Sequence, residues 1–110
     1  MLTDTIKRIE HEISYNKSIS SQKRNELMKL LGELKIEINE LSKSDSDKAK
    51  NIAKITETSV QVATSETPDQ ELLDNSLNGM KLSVRTFEVT HPKLVGLINT
   101  IGQTLNNIGI

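Results

Sequence analysis

In the C-terminal part of the chain, Glu88 and His91 are the only acid and imidazole close together, three residues apart and directly before Pro92. A carboxylate at that spacing can orient an imidazole and fix its tautomer, as happens at catalytic and metal-bound histidines. The chemistry would be proton transfer, or binding of a small molecule or metal at the Glu88–His91 corner. The same residues have a plainer use. His91 can cap or turn the junction between two helices, with Glu88 in the last turn of the first. The plainer use is favoured, because a working site needs more converging groups than these two. The second imidazole, His11, lies far off in sequence between Glu10 and Glu12, on a charged and solvated face.

Other chemistry-bearing patterns are thinner still. Glu33 and Glu37 are four apart, so they share a helix face. Di-iron bundles present their ligands this way, but they need a Glu-x-x-His unit on each of two helices. Glu88-Val89-Thr90-His91 supplies one such unit, broken by Pro92, and there is no second. The chain has no cysteine, hence no thiol nucleophile, disulfide or cysteine metal site. It lacks a phosphate-cradling glycine loop and a nucleophile elbow. The expectation is a protein that is not an enzyme and carries no cofactor and no metal.

Composition limits what can position such residues. The chain has 110 residues, one domain (1–110) by length. Its large aliphatics are 13 Leu, 12 Ile and 5 Val, beside one Phe and one Tyr. Leu and Ile without aromatics suit interdigitating helices better than a β-sandwich, and five Gly with two Pro supply few turns for short strands. The net charge of −1 is evenly spread, so no basic stripe marks a nucleic-acid surface. No apolar run approaches the length of a membrane span or a signal peptide, which points to the cytoplasm.

Periodicity predicts an all-α antiparallel bundle of four to five helices, at about 3–15, 21–42, 46–64, 68–90 and 92–108. The first carries Leu2, Ile6, Ile9 and Ile13 on one stripe, with Thr3 as N-cap. The second carries Leu27, Leu30, Leu31, Leu34, Ile38 and Leu41 behind a cap at Ser20 or Ser21. Gly32 in its middle costs ~1 kcal/mol relative to Ala, which suggests close approach of a neighbouring helix. Ser44 is placed to cap the third helix, whose Ile52, Ile55, Ser59 and Val62 are diluted by Thr and Ser; it reads as the thin member of the bundle. Thr67-Pro68-Asp69-Gln70 reads as a capping box with Pro at the first helical position. Leu73, Leu77, Met80, Val84 and Phe87 then line the fourth helix. Pro92 opens the fifth and Gly109 closes it. Short links fold consecutive helices back on one another, and Gly79, Gly96 and Gly102 are read as points of close packing within the chain.

From Ala49 onward the text resembles a family of short, uncharacterised bacterial proteins known as a domain of unknown function. Leu77-Asn78-Gly79-Met80, Ser83-Val84 with Phe87-Glu88, Thr90-His91-Pro92-Lys93-Leu94 and the closing Ile108-Gly109-Ile110 carry the resemblance. Residues 21–41 are similar to the same family more loosely. The resemblance implies a bacterial source and a small helical protein, and brings no activity, cofactor or catalytic residue.

The last helix suggests a function. Beyond Glu88, Lys93 is the only charged residue between Phe87 and Ile110, and the positions off the apolar stripe include Thr100, Gln103, Thr104, Asn106 and Asn107. Uncharged polar side chains are cheaper to desolvate than Lys or Glu, and interface cores are depleted in charge. Thr100, Gln103, Thr104 and Asn107 are therefore read as an interface, on a module that self-associates into a homo-oligomer or docks on a bacterial protein partner. The alternative is a small-molecule, metal or membrane-surface binder using the Glu88-His91 corner and the C-terminal apolar helix. That helix lacks the basic polar face of membrane-surface anchors.

Overall fold

Ile and Leu at three- and four-residue spacing leave water only if their helices share a core. The computed structural model of the chain, which describes the backbone of residues 2–109 and the side chains of residues 4–108, arranges five helices around one such core. They are α1 (Leu2–Tyr15), α2 (Ser21–Ser42), α3 (Ser46–Ala63), α4 (Gln70–Val84, continued by a 3-10 turn at Arg85–Phe87) and α5 (Pro92–Gly109). No strand occurs among the described residues, so the protein is an all-α helical bundle.

Cross-contacts fix the directions. Glu10 meets Lys35, Ser14 meets Met28 and Asn16 meets Arg24, so α2 runs antiparallel to α1. Arg8 with Glu57, Glu12 with Gln61 and Asn16 with Thr64 advance together, so α1 and α3 run parallel side by side. Gln70 reaches Asn106 while Leu77 lies beside Gly102, which makes α4 and α5 antiparallel.

The helix with the least regular stripe proves to be the central one. α3 touches all four others. It buries Ala49, Ile52, Ala53, Thr56, Ser59, Val60 and Ala63, whereas Ile55 and Val62 are half-buried. Its thinness is the reason: small side chains let four neighbours approach one axis. Thr56 and Ser59 can be buried there because their hydroxyls donate to the carbonyls of Ile52 and Ile55, at 2.8 and 2.9 Å.

Several local expectations shift. Ser20 caps α2 as expected, accepting from the Lys23 N–H at 3.2 Å. The α3 cap is Asp45 rather than Ser44; its carboxylate accepts from the Lys48 N–H, while the Ser44 hydroxyl closes α2 on the Leu41 carbonyl. The α4 cap is likewise Asp69 rather than Thr67, accepting from Leu72 at 3.2 Å, and Gln70 turns to Asp74 instead of closing a box. In both cases a carboxylate at the positive end of the helix dipole displaces a hydroxyl. The fourth α-helix stops at Val84, not near 90, because the chain must tighten through a 3-10 turn to lay α5 back along α4. α1 already begins at Leu2, so Thr3 lies within the helix and is not its N-cap, while the Leu2 stripe position lies outside the residues whose side chains are described. Gly109 itself is helical, with no glycine at positive φ among the described residues, so it is not a left-handed cap.

The glycines are looser than their spacing suggested. A Cβ on Gly79 or Gly102 would just reach Ile55 or Leu77, at 4.0 Å, whereas around Gly32 and Gly96 there is nothing within 4 Å. Close approach within the chain therefore does not account for Gly32 or Gly96.

Candidate functional site

The Glu88–His91 corner forms where the 3-10 turn gives way to α5. Pro92 disfavours helical geometry at the residue before it, so His91 takes the N-cap position. Its carbonyl accepts the Val95 N–H at 3.3 Å, and its own N–H donates to the Phe87 carbonyl at 2.8 Å. The half-buried imidazole stands edge-on to the Phe87 ring, centroids 5.8 Å apart, and the Lys48 ammonium lies over that ring at 5.8 Å. Glu88 is exposed, and no hydrogen bond joins it to His91 among the described residues. The corner thus brings together an imidazole, an aromatic ring and an amine from α3, without the carboxylate partner that would orient His91. Nor do any three His, Cys, Asp or Glu side chains cluster as metal ligands among the described residues.

The outer face of α5 is the other candidate. Leu94, Leu97, Ile98, Ile101 and Leu105 are buried against α2, α3 and α4. On the far side Gly96, Asn99, Thr100, Gln103 and Asn107 are all exposed, at spacings of three and four that keep them on one face. Asn99, Gln103 and Asn107 make no side-chain hydrogen bond among the described residues, and the Thr100 hydroxyl is turned back to the Gly96 carbonyl at 3.0 Å. Thr104 does not belong to this face. It is only 7 % exposed, and its hydroxyl donates to the Thr100 carbonyl at 3.0 Å. The sequence grouped it with Thr100 because both are polar, yet its position on the helix wheel is beside Ile101 and Leu105. Beside this face, α4 and α5 enclose a shallow cleft of about 350 Å³ over Leu77, with Asp74, Asn78 and Lys81 on one wall and Gln103 and Asn106 on the other.

Two polar anchors gave no signal in the sequence. Arg24 of α2 donates to the carbonyls of Ile13, Asn16 and Ile19, at 3.3, 2.7 and 3.2 Å, and so satisfies the end of α1. Glu57 of α3 is buried, its side chain 4 % exposed, and accepts from Arg8 at 2.9 Å and Lys54 at 3.1 Å. The hydrogen bond from Arg8 holds its carboxyl below the usual glutamate range against the opposing effect of burial. The Arg8–Glu57 link joins helices through residues 49 apart in sequence, and the Arg24 link depends on how α2 folds back on α1, neither of which helical periodicity encodes.

No helix of the described residues is long and apolar enough to cross a membrane. Residues 27–110, from the second turn of α2 onward, match the model of a family described as a domain of unknown function, DUF4404. No curated protein and no solved structure matches the chain.

Proposed function

The chain belongs to the DUF4404 family, and on that footing we propose that it is a non-enzymatic interaction module of the bacterial cytoplasm that pairs with a second copy of itself through the outer face of α5. The observation that carries this reading is the charge-free exposed strip of Gly96, Asn99, Thr100, Gln103 and Asn107, in a chain where 26 % of residues are charged. An isologous interface sets each patch against its own copy. Charged patches of one sign would then repel, whereas amides are both donor and acceptor and so complement themselves. Gly96 supports the same reading. A glycine inside a helix costs ~1 kcal/mol relative to Ala, and nothing within this chain approaches it. A second helix crossing at Gly96 would use the space that its missing side chain leaves.

Light scattering on the purified protein across a wide concentration range tests the proposal. The expected mass is twice 12.3 kDa at high concentration. The double variant Thr100→Arg, Gln103→Arg should give the single-chain mass at every concentration, and melt like wild type at dilutions where wild type is also single-chain, since both sites are exposed. A wild-type protein that stays at the single-chain mass throughout, or a variant that keeps the wild-type mass, refutes it.

A further inference from the structure

We infer that the cleft between the C-terminal ends of α1 and α3 binds a primary ammonium group. This cleft, of about 380 Å³, is lined by Glu12, Tyr15, Asn16, Gln61 and Thr64. It exists because α1 and α3 run parallel, so that their last turns finish together. Each helix end carries a partial negative charge from unpaired carbonyls, and neither helix has a basic residue in its last turn. Arg24 covers the Ile13 and Asn16 carbonyls from the α2 side. At the end of α3 the Thr64 carbonyl accepts, among the described residues, only the Asn16 amide, at 3.3 Å.

Glu12 supplies the decisive group. One of its oxygens, Oε1, accepts from the Gln61 amide at 3.3 Å. The other, Oε2, is buried and has no hydrogen-bond partner among the described residues. A buried carboxylate oxygen without a donor is costly, and the surroundings offer it none. Arg8, one turn earlier on α1, lies within electrostatic reach of Glu12, but its hydrogen bonds go to Glu57 and Thr5. His11 lies tilted against Tyr15, centroids 4.4 Å apart and planes at 41°, Lys17 is exposed, and Glu12 forms no ion pair among the described residues. Oε2 is closed to solvent in this rotamer; a turn of the Glu12 side chain would bring it to a cation in the cleft, beside the Gln61 side-chain carbonyl and the second lone pair of the Thr64 carbonyl. Three acceptors match the three donors of an alkylammonium. Tyr15, 74 % exposed at the rim, offers a ring face to the same charge. A divalent metal ion fits less well, since it demands six or more oxygens and usually several carboxylates, and Glu12 is the only acid lining the cleft.

The shared chemistry is a primary amine, from a free polyamine or from a lysine side chain. Backbone amide shifts of the isotope-labelled protein, titrated with n-butylammonium chloride against matched sodium chloride, read it directly. Saturable shifts confined to Glu12–Asn16 and Gln61–Thr64 are expected, weakened about tenfold or more in Glu12→Gln, as loss of a charged partner implies. Tyr15→Ser, at an exposed position, should weaken binding about two- to fivefold; it keeps the test open if Glu12→Gln fails to fold. Spermidine and a lysine amide run in parallel distinguish the source by which binds more tightly. Shifts no larger than those from sodium chloride, or equal in wild type and both variants, would mean that water alone satisfies Glu12 and would overturn the inference.

Discussion

Replacing Ala53 by Leu should damage this fold far more than its sequence context suggests. Ala53 is fully buried on α3, between Ala49 and Thr56, which are equally inaccessible, and α3 is the helix that every other one touches. Ala and Leu are both strong helix formers, so the substitution leaves local preference almost unchanged and any loss must come from packing. Adding three carbons to a filled site forces neighbours off their rotamers or spreads the helices, at about 1–3 kcal/mol. For a domain of this size each kcal/mol lowers the melting temperature by roughly 4–8 °C, so a drop of about 5–20 °C is expected. Total stability of about 5–15 kcal/mol leaves the variant folded. Thermal melts followed by far-ultraviolet circular dichroism measure it, with Thr58→Leu as the matched control. Thr58 is exposed on the same helix and should change stability by no more than about 0.5 kcal/mol. If Ala53→Leu melts within about 2 °C of wild type, α3 is not the packed centre of the bundle and the reasoning fails.

The Glu57 ion pairs should make stability depend on pH. Because the folded carboxyl titrates below the unfolded one, its contribution is full above the ordinary glutamate value near ~4.3 and fades as pH falls towards the folded value; denaturant melts of wild type and Glu57→Gln should therefore differ most near neutrality and converge in acid, and a difference that grows in acid would reverse the assignment. His91→Ala removes the edge-on contact with Phe87, worth about 0.5–1.5 kcal/mol, while its backbone bonds persist. Its melting temperature should fall by a few degrees, and an unchanged value would show that the ring carries no packing role.

Much of the architecture was legible because helix formation and burial follow local periodicity. Ile6, Ile9 and Ile13, the Leu27-to-Leu41 stripe except the half-buried Leu30, and the Leu94-to-Leu105 stripe are buried as their spacing requires, and α2 begins and ends where its cap and polar link place it. The candidate site was less legible. Polarity alone put Thr104 with Thr100, but position on the helix wheel buries one and exposes the other. Spacing put Glu88 near His91, but the 3-10 turn between α4 and α5 leaves them unbonded.

By itself, then, the sequence determined that the chain is all-α, roughly where each helix lies and most of the stripe that each buries, α3 excepted, since these depend on residues three or four apart. Tertiary structure alone decided that the irregular, Ala- and Thr-rich α3 sits at the centre. It also decided that Arg8 latches α1 to Glu57, that Arg24 seals the end of α1, and that one Glu12 oxygen is buried without a hydrogen-bond partner among the described residues. Each of these joins groups on different helices, or follows from how neighbouring helices pack, and their meeting depends on the direction and register in which whole helices pack, which no window along the chain contains.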